Sequence, residues 1–275
     1  RIQRISITCT YPLCIEREDN MKVLVLTSNN YRHKYFAYRI CEYFNVIGVF
    51  CEEKEYNPNQ NYKNEKEKMI LEKWIDFRER EEKKTFGKYK ELIKEYDNKC
   101  FYLNKKEINN KIVENIAKNS DVAVIFGTSI IKDNLLNIVP MFNMHLGLSP
   151  YYRGSGTNFW PFYNNEPEYC GVTIHKLSTI VDGGEIIHQG IPTIEENDNP
   201  HSIGNKIIKI GTDLMIKTLR EFENKELKSY VQTIEYGKQY YRKDFNANAA
   251  KYVMDNYKKI IKDSIQRKKK INIIM

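Results

Sequence analysis

A chain of 275 residues with 41% hydrophobic and 12% aromatic content is long enough to bury a sizeable core and too apolar for a disordered protein. Its formal net charge of +8 is only moderately basic. Its six cysteines (Cys9, Cys14, Cys41, Cys51, Cys100 and Cys170) form no C-x-x-C pair, which excludes a disulfide framework and points to a reduced, cytoplasmic compartment. No apolar run approaches a membrane span, and residues 1–20 show no signal-peptide cleavage pattern.

Residues 1–20 read as a non-core extension, because the first strong element follows Met21. Lys22 to Thr27 is a continuous apolar run, the pattern of a parallel strand buried on both faces. A helix from about His33 to Phe44 and a second buried strand, Val46 to Phe50, complete a βαβ opening. The first turn, Thr27 to Arg32, contains no glycine. Neither the dinucleotide fingerprint nor a P-loop is therefore present, which disfavours nicotinamide and ATP chemistry.

Residues 57 to 97 form a densely charged insertion with apolar anchors at Ile70, Trp74, Phe77, Phe86 and Leu92, which predicts one or two exposed helices. Regular α/β alternation then resumes, with strands at Cys100–Leu103, Asp121–Phe126 and Met141–His145 and helices at Ile108–Ala117 and Ile130–Ile138. Tyr169 to Leu177 alternates as a strand, with Gly184 to Gln189 as its hairpin partner. Asn199-Pro200-His201-Ser202 opens an amphipathic helix.

The pattern predicts an α/β fold: an open, mostly parallel Rossmann-like sheet with helices on both faces and a small C-terminal appendage. The catalytic domain spans 21–226, and 227–275 form a small basic element. Positive charge gathers there, from Lys238 through Arg267-Lys268-Lys269-Lys270. A solvated tail is the first reading and an RNA-binding module the second.

Asn143 and His145 stand two apart in one strand, so their side chains share a face. Asp182-Gly183-Gly184 follows a turn-rich loop. An amide that can hold an oxyanion, an imidazole and an orienting carboxylate are the parts needed for acyl transfer. Taken alone, Asn143 could terminate its strand, His145 could be a satisfied core histidine, and the Asp-Gly-Gly run could be a hairpin turn. His33, His175, His188 and His201 lack metal-ligand spacing and read as surface or core residues, so no metal site is predicted.

Together, Asn143-Met-His145-Leu-Gly-Leu-Ser-Pro150-Tyr-Tyr-Arg153-Gly154, Gly171-Val-Thr-Ile174 and Val181-Asp182-Gly-Gly184 resemble the folate-dependent formyltransferases, a family that includes methionyl-tRNA, glycinamide-ribonucleotide and sugar-nucleotide enzymes. The resemblance implies that Asn143 holds the formyl oxygen as it gains charge. It implies that His145 shuttles a proton and that Asp182 orients the imidazole. It also implies that Gly127, Leu146, Gly147, Leu148, Ser149, Pro150 and Arg153 shape the cleft for the co-substrate, N10-formyltetrahydrofolate. Gly147 departs from the family loop, which commonly has serine there.

By elimination among the branches, the resemblance implies a sugar N-formyltransferase acting on the amine of a small, nucleotide-linked amino sugar. A membrane partner is not expected, nucleic acid is disfavoured, and a homodimer is left open. A formyltetrahydrofolate hydrolase or a methionyl-tRNA-type enzyme is the alternative.

Overall fold

The computed structural model of the chain describes residues 21–54, 62–233, 235, 237–267 and 269–273. The expected extension at 1–20 and the start of the charged insertion lie outside the described residues.

The chain runs through β1 (Lys22–Ser28), α1 (Tyr31–Tyr43), β2 (Asn45–Glu52), α2 (Glu65–Phe86), α3 (Tyr89–Leu92), β3 (Cys100–Leu103), α4 (Lys111–Ala117), β4 (Val122–Ile125), α5 (Asp133–Leu136) and β5 (Met141–His145). It continues through β6 (Tyr152–Gly154), α6 (Trp160–Tyr163), β7 (Val172–Lys176), β8 (Ile186–Gly190), α7 (Pro200–Glu223), β9 (Lys238–Tyr240) and α8 (Ala247–Arg267).

Seven strands form one sheet in the order β3-β2-β1-β4-β5-β7-β8. The first five are parallel, β7 is antiparallel to β5, and β8 is antiparallel to β7. Alternation along β1 explains the two cores: Val23 and Val25 join the cluster with α1 and α7, while Leu24 and Leu26 join the one with α4. Helices therefore cover both faces, as a mostly parallel sheet requires.

The strand order reverses direction between β1 and β4, and the crevice beyond their carboxyl ends is where open α/β sheets take ligands. Both α1 and α7 begin just after an asparagine, and at α7 the Asn199 side chain accepts from the backbone N–H groups of His201 and Ser202.

The charged insertion folds into α2, a 22-residue helix packed against α1, α7 and α8. Leu71, Trp74 and Phe86 are its buried apolar anchors, whereas Ile70 and Phe77 are half-buried. Helix α8 is also docked rather than frayed: the Arg267 guanidinium donates to the Asn165 carbonyl at 2.7 Å and pairs with Glu168 at 3.0 Å. The helix is docked, while Lys258, Lys259, Lys262 and Lys269 remain exposed, as a solvated charge would be.

A second, two-stranded sheet joins β6 to β9 in parallel. Tyr240 of β9 lies between Tyr152 and Trp160, with ring planes 4° and 8° from parallel. The C-terminal element is thereby stitched to the loop that follows β5.

Candidate active site

A cavity of about 860 Å³ opens at the carboxyl ends of β4 and β5, and Asn143, His145 and Asp182 all line it. Asn143 and His145 project from β5 on one side, as their two-residue spacing requires. Asp182 comes from the β7–β8 connection and adopts a left-handed backbone, φ 52°. That conformation is uncommon outside glycine, and asparagine and aspartate tolerate it best.

The surroundings over-determine this conformation. The Gln232 side-chain amide donates to the Asp182 carbonyl at 2.9 Å and to the Gly184 carbonyl. The Asp182 carboxylate accepts the Gly154 backbone N–H at 3.0 Å and lies 3.3 Å from His145 Nδ1. Burial pushes the Asp182 carboxyl up, but His145, His175 and the Gly154 N–H outweigh it and hold the pKa at about 2. His145 Nε2 lies 3.1 Å from the Tyr152 carbonyl, so a protonated ring has an acceptor at each nitrogen.

His175, read from sequence as a surface or core residue, is a core residue that does not line the cavity but bonds a residue that does. It is the cross-strand partner of Asn143 in the β5–β7 pair, and its Nε2 lies 3.0 Å from Asn143 Nδ2. Its Nδ1 faces the Lys176 carbonyl at 2.8 Å and must carry a proton to bond it. In the neutral ring Nε2 is then the acceptor, whereas in the protonated ring it faces Asp182 Oδ1, 3.7 Å away. To the neutral ring Asn143 donates one amide N–H, keeping the other for the cavity. Alternation along β7 was visible in the sequence, but the register that pairs residue 175 with residue 143 was not.

The predicted co-substrate residues divide. Gly127 and Leu146 line the cavity, whereas Gly147, Leu148, Ser149, Pro150 and Arg153 do not. Leu148 and Ser149 are fully buried and Arg153 nearly so. Thr173 Oγ donates to the Gly147 carbonyl at 2.7 Å and accepts the Ser149 N–H at 3.0 Å, and Gln189 donates to the Ser149 carbonyl. This stretch supports the wall from behind. A Cβ on Gly147 would stand 2.5 Å from His145 Nε2 and 2.8 Å from the Tyr152 carbonyl, so glycine here makes room for the imidazole. Gly127 has φ 77°, and a Cβ there would meet the His33 ring at 2.4 Å.

The cavity wall also carries Ile125, Phe126, Ile130 and Leu177, apolar surface suited to a flat ring system. Sequence reading missed a further part of the lining, to which His33, His201 and Trp74 from three helices contribute with Arg32 and Arg78. Neither His33 nor His201 is a surface residue.

The description "Formyl transferase" belongs to the family model that matches residues 21–219. The chain is a member of that formyltransferase family. A methionyl-tRNA formyltransferase from Fervidobacterium nodosum is 28% identical over 203 residues, which cover 74% of this chain and 58% of that protein. The chain thus spans little more than half the length of this curated relative.

Solved structures share the fold. A 4-N formyltransferase from Francisella tularensis aligns with a TM-score of 0.56 at 19% identity, over 82% of this chain and 78% of that one. The N-formyltransferase of Helicobacter canadensis, solved with folinic acid and dTDP-3-aminofucose, aligns with a TM-score of 0.53 at 20% identity, over 82% and 72%.

Proposed function

We propose that this chain transfers a formyl group from N10-formyltetrahydrofolate to the primary amine of a small, nucleotide-linked amino sugar. The observation that carries the reading is the convergence of an oriented amide, an imidazole and an ionised carboxylate on one cavity. The apolar wall from Ile125 to Ile130 and the side-chain-free approach at Gly127 fit a reduced pterin, and the bound donor supplies the electrophilic formyl carbon.

The chain's own residues do the rest. Asn143 directs its remaining amide N–H at the formyl oxygen as that oxygen gains charge. His145 and Asp182 hold the proton released by the acceptor amine and return it to the donor nitrogen as its bond to the formyl carbon breaks. His175 positions the Asn143 amide, and Gln232 and Gly154 position Asp182. The sugar branch is supported by the small-ligand scale of the cavity, lined in part by Trp74 of α2 and by Tyr241 and Phe245 from the C-terminal element. It is further supported by the ligand named for the Helicobacter canadensis enzyme.

The test incubates the full chain with the formyl donor and a panel of nucleotide-linked amino sugars, read by mass spectrometry. A formylated sugar is expected. Formate released without acceptor would instead make the chain a hydrolase. Formylation of methionyl-tRNA alone would move it to the branch that its curated relative names. Salt-sensitive RNA binding without any turnover would favour the binding module.

A further inference from the structure

Besides the amide, imidazole and carboxylate of the trio, the cavity holds a primary amine of its own. Lys54, in the segment after β2, is the one lysine among the described residues that line it. A Cβ placed on Gly127 would stand 3.3 Å from Lys54 Nζ and 2.4 Å from His33 Nε2, so amine and imidazole converge on the same bare backbone. Gly127 follows β4, whose last residue, Ile125, is paired with Asn143 of β5. Neighbouring strands lie about 4.8 Å apart. The flexible lysine stem covers a distance of that size by rotation alone.

Among the described residues no carboxylate pairs with this amine. Glu82 is paired with Arg32, and Glu52 accepts the backbone N–H groups of Ser129 at 2.6 Å and Ile108 at 3.3 Å. The side chain is open to the cavity, yet the protein packed around it, then Arg32 and Arg78, lower its pKa to about 7, with Glu52 opposing them. Roughly half of the chains then carry a free amine at pH 7, against on the order of one in 10³ for an ordinary lysine. That is the form that attacks a carbonyl carbon. His33 beside it is 1% exposed, and neither ring nitrogen has a partner among the described residues. Burial, then Arg32, Lys54 and Arg78, hold its pKa well below the ordinary value, and a neutral imidazole offers one donor and one acceptor. An ammonium answers only the acceptor, whereas a formamide carries both a carbonyl and an N–H.

From this arrangement we propose that the chain formylates itself at Lys54 when the donor is bound and no acceptor is present. The inference rests on the formyl-transfer reading and adds a second, internal acceptor to it. Lys54 Nζ attacks the formyl carbon of N10-formyltetrahydrofolate, and the bond from that carbon to N10 breaks. The proton released from Nζ passes by way of His145 to N10. Tetrahydrofolate leaves, a formamide remains on Lys54, and no further reactant is consumed. The modification removes one positive charge from beside Arg32 and gives the unpartnered His33 ring a group that can bond either nitrogen. A chain starved of acceptor thus marks its own cavity.

Peptide mass mapping of the full chain, incubated with N10-formyltetrahydrofolate and no acceptor, tests this. The parent is expected to gain one formyl group on the peptide that carries Lys54, and Lys54→Arg to gain none there. Asn143→Ala and Asp182→Asn, each shown folded by a thermal melt, should gain it more slowly by about tenfold or more. Equal rates in the parent and both variants, or equal labelling of exposed Lys258 and Lys259 on α8, overturn the proposal as unassisted chemistry. An unmodified Lys54 overturns it in every case. If that chain still formylates an amino sugar, or binds 5-formyltetrahydrofolate by calorimetry, the formyl-transfer reading stands; if it does neither, that reading falls as well.

Discussion

Asn143 Nδ2 and His175 Nε2 lie 3.0 Å apart across the β5–β7 pair, and that bond sets which edge of the amide faces the cavity. The Lys176 carbonyl, 2.8 Å from His175 Nδ1, fixes the tautomer that makes His175 an acceptor. A backbone carbonyl thus orients the amide proposed to stabilise the oxyanion, through one intervening ring.

Removing the amide and removing its support should differ in size. Asn143→Ala is expected to lower kcat by about 10²–10³-fold, and His175→Ala by about tenfold, with little change in KM for the donor. Because both act through one N–H, the double variant should be no slower than Asn143→Ala alone. Steady-state kinetics of the four proteins checks this; additive losses would separate the two roles.

Asp182 makes a pH prediction with a definite sign. Its folded-state pKa of about 2 lies below the ordinary 3.8. Its contribution to stability is therefore fully present above about pH 4 and is lost as pH falls toward 2. The shift corresponds to about 2 kcal/mol. Acid titration of the unfolding free energy should show that loss in the parent chain, and Asp182→Asn should flatten it.

Gly147→Ala should impair turnover more than stability. The added Cβ would meet His145 Nε2 at 2.5 Å, so the ring must leave its place beside Asp182. At least a tenfold fall in kcat is expected, with the melting temperature changed by a few degrees. Unaltered kcat would show that the imidazole tolerates displacement.

Much of the fold and of the trio is legible in the sequence. The buried runs of β1 and β4 are unbroken apolar stretches, β5 interrupts its own only at Asn143 and His145, and the trio lies at motif spacing. What escaped depends on partners distant in sequence. His175 gains its role from an antiparallel register 32 residues away. The stretch from Gly147 to Pro150 has the glycine and proline of a shaped wall, but Thr173 and Gln189 bind its backbone and turn it inward. Arg78 and Glu82 read as solvated charge on α2, because nothing local shows that Glu82 meets Arg32 fifty residues earlier.

Tyr240→Ala tests the C-terminal element. The variant leaves the Tyr152 and Trp160 rings without the one stacked between them and removes the hydroxyl that accepts from Asn164 at 2.8 Å. A loss of about 2–3 kcal/mol is expected, together with slower turnover because β6 carries the Gly154 N–H that holds Asp182. A thermal melt alongside an activity assay measures both; normal stability and activity would make β9 a passive cover.

The same stitching imposes an order on the birth of the enzyme. A ribosome delivers Asn143, His145 and Asp182 well before Gln232 and β9. The newborn chain then holds all three side chains while Asp182 still lacks the amide that braces its left-handed backbone and β6 lacks its paired strand. Under the proposed mechanism, competence waits for Gln232 and β9, which follow the trio along the chain and stand outside its reacting groups.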